Sequence, residues 1–489
     1  MPGAGSTGAW GHGVDPGRRH NFLLLLSTNV ITKGAWAASL FLLLHHFGPR
    51  DFGVLAALWA LGGLVAGFAD LGVGQVLLRN GARTPGLARA IAGQALKLQI
   101  GLSLLLFGIL VVGAHAFLPT PGLVGDAKWS VIIFSIAATL FDRMSALFTV
   151  FSQLAGSYHS FSLYRSGYFV ALLATFLAII RANAGLEIIA LGYFLLTLLF
   201  LLPTGFETWK RLPASTAIPV PSLPGLIRQG VWFLGGTGLT IAYGRVEVLL
   251  LGFFAFTAFA GVYHIAYQLV LLVFSVSGIF FTIIYPRLYR HQRDAAALRT
   301  DYLDTVRWLS LLAWAAVLPL MLYAEPILQL IGGTPLRKYA DLLRVLSGLI
   351  LLLPGAAALN FLLPLDLVKQ RVMSDLLGLG TTFIIVCGVL VAHIPSAVSA
   401  AAVAGYTVAV AAAFFYAASA RILNPLVMLR ELFIIGWRGG VALAITAWLT
   451  LNWWQGSLLY LLLFTALLVA TGQPSIRKLL YGRTTAIFH

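Results

Sequence analysis

NFLLLLSTNVITKGAWAASLFLLLH, residues 21–45, decides how the rest of this chain is read. It is long enough to cross a bilayer as a helix, which takes about 20 apolar residues. Lys33 stands near its middle. A positive charge at mid-bilayer costs roughly 2.5–3.5 kcal/mol on insertion scales, so a cation kept there marks a functional site by default. Two more basic residues, Arg143 and Arg245, lie near the middle of other apolar stretches.

Working outward, the pattern recurs along all 489 residues. Apolar stretches fall at 21–45, 53–78, 90–117, 129–153, 163–180 and 186–206. They resume at 230–254, 260–285, 303–323, 339–364, 372–392, 396–418, 429–451 and 454–471. Hydrophobic residues make up 60% of the chain and charged residues 10%, whereas a soluble domain carries about 25% charge. The expected fold is therefore an all-α polytopic membrane protein with about 14 transmembrane helices.

The basic residues collect in every second gap: Arg79, Arg83, Arg89, Arg165, Lys210, Arg211, Arg228, Arg287, Arg290, Arg293, Arg299, Lys369, Arg371, Arg421 and Arg430. The alternate gaps hold only Arg50, Lys128, Arg181, Arg337 and Lys338. By the positive-inside rule both termini face the cytoplasm. The first stretch is too long for a signal-peptide core and is read as an uncleaved helix. The net charge of +16 is spread over many short gaps, which argues against a nucleic-acid surface.

A segment carrying Pro213, Pro219, Pro221 and Pro224 separates the sixth and seventh stretches. It divides the chain into an N-terminal lobe (1–206), a cytoplasmic linker (207–229), a C-terminal lobe (230–418) and two further helices with a tail (419–489). Phe52-Gly53-Val54 resembles Ala260-Gly261-Val262 at an offset of 208, and Arg79 meets Arg287 at the same offset. Lys33 then falls within a turn of the equivalent of Arg245. Internal repeats with a site at their interface are a common transporter design.

The gaps exclude as much as they suggest. Their acids, Asp51, Asp126, Glu187, Glu325 and Asp341, are scattered singly, with no P-loop, nucleophile triad or metal-ligand spacing. The single cysteine, Cys387, lies in an apolar stretch and rules out a disulfide framework. No enzyme chemistry, cofactor or metal is expected.

The chemistry falls instead on polar residues within the stretches. Lys33, Arg143 and Arg245 are the candidate anion-binding set, with Asp70, Asp142 and Glu247 as gate or ion-coupling candidates. Asn29, one turn from Lys33, and His264, Tyr267 and Gln268 are candidate cavity lining. Each has a plainer alternative: Lys33 pairs with Asp70 only to hold helices together, and His264 is a hydrogen-bonded packing residue. Asp142 and Arg143 point about 100° apart, and Arg245 and Glu247 lie on nearly opposite faces, so each needs its own partner. Lys97 and Arg344 are near enough to stretch ends to snorkel, and the tryptophans read as belts and packing. More bases than acids at mid-membrane suit an anion such as a lipid-linked pyrophosphate, since Arg offers a bidentate fork and Lys a compact charge.

Leu44-His45-His46-Phe47-Gly48-Pro49-Arg50-Asp51-Phe52-Gly53, followed by Asp70-Leu71-Gly72 and Arg79, resembles the opening of bacterial polysaccharide flippases. These are the O-antigen and exopolysaccharide translocases of the Wzx type, in the multidrug/oligosaccharidyl-lipid/polysaccharide (MOP) exporter superfamily. Arg245-Val246-Glu247, Leu251-Gly252 and Gly261-Val262-Tyr263 resemble the second-lobe opening of that family, with Glu where Asp is common. The resemblance implies two six-helix lobes plus two C-terminal helices. It also implies alternating access for an undecaprenyl-pyrophosphate-linked oligosaccharide in the bacterial inner membrane, with membrane lipid and polysaccharide polymerase machinery as partners. A cation-coupled drug or small-molecule exporter of the same fold is the alternative, and it would depend on Asp70 or Glu247 rather than on Lys33 and Arg245.

Overall fold

A computed structural model describes residues 16–69, 71–83, 86, 88–117, 129–155, 158–212, 222–290, 294–363, 365, 367–419, 425–449 and 453–470. Among the described residues the chain is helical throughout, with no strand. The first helix, α1 (Pro16–Ala69), is two helices joined at Gly48, where φ is 75° and ψ is 172°. Only glycine takes that conformation without a Cβ penalty, and Pro49 then starts the second half, its fixed φ suited to a first helical turn. A second break at Leu71 and Gly72, both with positive φ, leads into α2 (Val73–Arg83). That helix buries Val73, Val76 and Leu77 on one face, as helical spacing requires.

Next come α3 (Ala88–Phe117), α4 (Trp129–Asp142), α5 (Met144–Leu154), α6 (His159–Arg181) and α7 (Leu186–Lys210). Beyond residues 213–221 lie α8 (Leu223–Ala242), α9 (Arg245–Phe253), α10 (Thr257–Arg290) and α11 (Ala295–Leu322). Asp294 caps α11 by accepting from the backbone N–H of Ala296 and Ala297, each at 3.0 Å. The short α12 (Ala324–Gly332) starts at Glu325, which accepts from Arg337 Nε at 2.8 Å and Arg344 Nη2 at 3.1 Å. Those two cations hold its carboxyl below the usual carboxylate range. The chain continues through α13 (Ala340–Leu351), α14 (Leu353–Phe361), α15 (Val368–Val391), α16 (Val398–Ser419), α17 (Pro425–Trp448) and α18 (Trp453–Ala470).

Among the described residues each expected apolar stretch is mainly helical, with short breaks inside some of them. Among the described residues nine helices are long and apolar enough to cross a membrane, and the bent pair α13–α14 adds a tenth. The first of the nine runs 46 residues, Leu24–Ala69. At 1.5 Å per residue that is about twice a hydrocarbon core of roughly 30 Å. With this doubling and the broken pairs, a count of fourteen is compatible with the helices described.

The helices form two groups that also pack extensively on each other through α1 and α10. The first half of the chain gathers α1, α4, α6 and α7, and the second gathers α11, α13, α14, α15 and α16. α17 lies on α11 and α18 on α17, where Tyr460 donates to the Trp314 carbonyl at 2.8 Å and Gly436 and Gly439 leave room for the Trp314 ring.

Between the groups runs a seam, where α1 meets α8, α9 and α10 and α2 meets α8. At the Gly48 end the seam is backbone against backbone. Gly53 lies against the carbonyl of Thr257, and Gly261 lies against the carbonyl of Pro49. Each pair, 49 with 257 and 53 with 261, carries the offset of 208 noted in the sequence, so the contact is reciprocal about a pseudo-two-fold axis. At the opposite end Gly230 of α8 abuts the carbonyl of Leu71.

Candidate functional site

The breaks in the helices decide which charges meet. α4 and α5 run on as one 26-residue span, Trp129–Leu154, with Arg143 in helical conformation at a local irregularity between them. Asp142 accepts from Arg165 Nη1 of α6 at 2.6 Å. The Arg165 guanidinium lies 4.7 Å from the Phe169 ring centroid and 5.5 Å from that of Tyr168, a packing that partly replaces lost hydration. The sequence reading put Arg165 in a gap. The correction follows from the helix start: α6 begins at His159, which places Arg165 nearly two turns inside. Tyr168 and Phe169, three and four positions on, share its helix face and were the available signal.

Lys33, on the first half of α1, stands in the field of Arg165, Asp142 and Arg245. Among the described residues its ammonium has no ion pair or hydrogen bond. Asp70, its suggested partner, lies outside the described residues. One turn on, Trp36 packs on Trp59 at 5.5 Å and on Tyr193 at 6.1 Å, so these two tryptophans form the wall beside the cation.

Arg245 arrives from the second group. Gly244, with φ of 71°, breaks the seventh stretch between α8 and α9. A Cβ there would collide with the Tyr267 ring, so no other residue fits. Immediately after the break Arg245 Nη1 donates to the Gly63 carbonyl of α1 at 2.6 Å, within the field of Arg143 and Asp142. Among the described residues the structure thus brings Lys33, Arg143 and Arg245 together with Asp142 and adds Arg165: four cations and one carboxylate.

Glu247 points elsewhere, as the two-residue spacing requires. It is fully buried, and among the described residues no side chain bonds to its carboxylate, which faces the backbone N–H groups of Gly244 and of Glu247 itself at the start of α9. Its field reaches Tyr243, Tyr263 and Tyr267. His264 and Gln268 face each other at 3.5 Å, the outer limit of a hydrogen bond, and His264 packs on Phe52. Asn29 donates to Ser275 of α10 at 3.3 Å, which spends its amide on the seam.

A second buried charge pair lies apart from this cluster. Arg371 Nε donates to Asp375 Oδ2 at 2.6 Å, Nη2 to Thr240 at 3.2 Å and Nη1 to Asn360 at 3.5 Å. Arg371 was also assigned to a gap. α15 starts at Val368, earlier than the sequence reading placed it, and the i,i+4 spacing of Arg371 and Asp375 on an apolar helix was the signal. Among the described residues no three His, Cys, Asp or Glu side chains are grouped to hold a metal ion.

Residues 46–340 match the sequence profile of a polysaccharide biosynthesis protein family. The chain belongs to this family. No curated protein matches it in sequence. Its fold is similar to that of the lipid II flippase MurJ in an inward closed conformation, with a TM-score of 0.64 and 13% identity over 94% of this chain and 100% of that one. It is also similar to the Vibrio cholerae MATE transporter VcmN, with a TM-score of 0.56 and 16% identity over 84% of this chain and 99% of that one. The multi-pass helical fold of these two transporters is therefore also the fold of this family member.

Proposed function

We propose that this protein is a flippase that carries a polyprenyl-pyrophosphate-linked oligosaccharide across the bacterial cytoplasmic membrane by alternating access, for cell-surface polysaccharide synthesis. The observation that carries this reading is the sign of the central cluster: Lys33, Arg143, Arg165 and Arg245 against Asp142, a carboxylate already taken by Arg165. A surplus of positive charge in a low-dielectric site attracts a weakly hydrated anion, and charge-assisted bonds to phosphate are the strong kind. A pocket for a cationic drug calls for the opposite sign.

In this reading residues 1–206 and 230–418 are two lobes that rock about the seam, 207–229 is a cytoplasmic linker, and the C-terminal pair rides on the second lobe. Both termini are cytoplasmic, which puts the Gly48 end of the seam outside and the Gly230 end inside. The lipid is undecaprenyl pyrophosphate, and the delivered glycan goes on to polymerase machinery. Asp70 and Glu247 remain gate or coupling candidates.

Complementation tests it. In a host lacking its own flippase and supplied with the matching glycan pathway, Arg245→Ala or Lys33→Ala should cut surface glycan display at least tenfold at unchanged membrane levels. Lys33→Arg should retain more display than Arg245→Lys, because an ammonium cannot reproduce a bidentate fork. Full display by both alanine variants would refute the anion-binding role of the cluster, and absence of display with the unaltered protein would favour the cation-coupled exporter.

A further inference from the structure

Two side-chain hydrogen bonds described here cross from α1 to the second lobe, and they differ in kind. Asn29 to Ser275 joins two neutral groups. Arg245 to Gly63 gives a full positive charge to a backbone carbonyl. Gly63 lies inside a regular helical segment, where a carbonyl already accepts the N–H four residues on. The guanidinium uses its second lone pair.

The site is shaped for the guanidinium. A Cβ on Gly63 would fall 2.7 Å from Arg245 Cζ, 2.9 Å from Nη1 and 3.0 Å from Nε. The guanidinium is therefore laid against the face of the helix where a side chain is missing. Arg245 also feels Arg143, while Asp142 is engaged by Arg165. It is thus held by a neutral acceptor in a field of like charge.

The glycine contacts at the two ends of the seam carry no such charge: Gly53 and Gly261 meet backbone at one end and Gly230 meets Leu71 at the other. An anion has no purchase on them. At the level of Gly63 an anion competes directly, because a phosphate offers the guanidinium an opposite charge and a bidentate acceptor, which a single neutral carbonyl does not.

We infer that Gly63 is a positioning residue that parks the Arg245 guanidinium across the closed seam, and that a pyrophosphate group frees the lobes by drawing Arg245 off that carbonyl. The inference rests on reading Arg245 as a phosphate-binding cation. It makes the latch open only when cargo is present, which couples occupancy to lobe movement.

The experiment uses the full-length protein in proteoliposomes, with Cys387→Ser and a reporter Ile241→Cys. Ile241 packs against Gly67 in the seam. Maleimide labelling of the reporter is timed with and without farnesyl pyrophosphate, whose binding is measured separately by calorimetry. The parent should label slowly alone and about tenfold faster with the probe. Gly63→Ala should label fast without the probe and gain little from it, yet bind it at least as tightly, because the cost of unlatching is already met. Arg245→Met should also label fast, but lose probe binding.

Parent-like labelling in folded Gly63→Ala, by size exclusion and thermal melting, overturns the latch. If Gly63→Ala fails to fold, Arg245→Met decides: parent-like labelling there overturns it as well. A parent that does not bind farnesyl pyrophosphate refutes the pyrophosphate reading and the release step. The parking role is then upheld or overturned by the probe-free rates alone.

Discussion

Adding one methyl group at Gly53 tests whether the reciprocal glycine contact is the outer closure. A Cβ on Gly53 would sit 1.8 Å from the Thr257 carbonyl oxygen, whereas one on Gly261 would sit 2.6 Å from that of Pro49. Real Cβ atoms essentially never come within 3.0 Å of such neighbours. Gly53→Ala therefore forces α10 back by more than an ångström, and Gly261→Ala by a few tenths. Both neighbours are backbone and cannot swing aside. Overpacking costs about 1–3 kcal/mol, so Gly53→Ala belongs near the top of that range and Gly261→Ala near the bottom. At about 1.4 kcal/mol per factor of ten, the outer-closed population falls roughly a hundredfold in the first and about fivefold in the second. Spin labels at Asp51→Cys and Ala258→Cys, in a Cys387→Ser background, read the distance across the seam. The expected distribution moves outward in that order, with transport falling in parallel. Gly278→Ala is the control, since nothing lies within 4 Å of its Cβ on the same helix. An unmoved distribution in folded Gly53→Ala would refute the reasoning.

Three other outcomes are expected. Arg371→Met should lower stability by about 3–5 kcal/mol by leaving Asp375 buried and uncompensated, and Arg371→Met with Asp375→Leu should regain most of it; thermal melting in detergent reads both. Glu247→Gln should raise the melting temperature, since the neutral amide oxygen still accepts from the N–H groups at the start of α9 while the cost of burying a charge is removed, and loss of transport in that more stable variant would mark Glu247 as the coupling carboxylate. Reporter fusions should read cytoplasm after Gln229 and periplasm after Arg50, and an external signal at Gln229 would overturn the inside assignment of the linker.

Fold class was legible because a bilayer imposes one length and one polarity on each crossing. Residues 90–117 and 186–206 reappear as α3 and α7 with ends shifted by a few residues. The broken stretches were less legible. Nothing in apolar periodicity announces that the seventh stops at Tyr243-Gly244, a break that occurs beside Arg245. Part of the cluster was legible for the opposite reason: Lys33 and Arg245 stand out against uniformly apolar flanks. Arg165 and Arg371 were missed because they lie within two turns of a helix start, where a counted positive charge reads as a loop residue. In each case a partner keeps the cation inside the bundle: Asp142 reaches Arg165 by packing between helices, which local sequence does not show, whereas Asp375 lies at i,i+4 from Arg371 on the same helix.

The two misplaced arginines clarify how charge is divided between the lobes. In the second lobe Arg371 has a matching carboxylate and two neutral acceptors within α8, α14 and α15. Its bonds close on that lobe and gain nothing from an anion. Arg165 is also matched by Asp142, and among the described residues that engages the acid lying in the field of Lys33 and Arg245. The pairing of Asp142 is thus what leaves the seam cationic. Arg245 completes the arrangement because it belongs to the second lobe while its acceptor, Gly63, belongs to the first. An anion drawn to the surplus charge meets the cation that also ties the lobes together. Binding and opening therefore act on the same guanidinium, which makes the Arg245 and Gly63 pair a more direct handle on transport than any change to the Arg371 network.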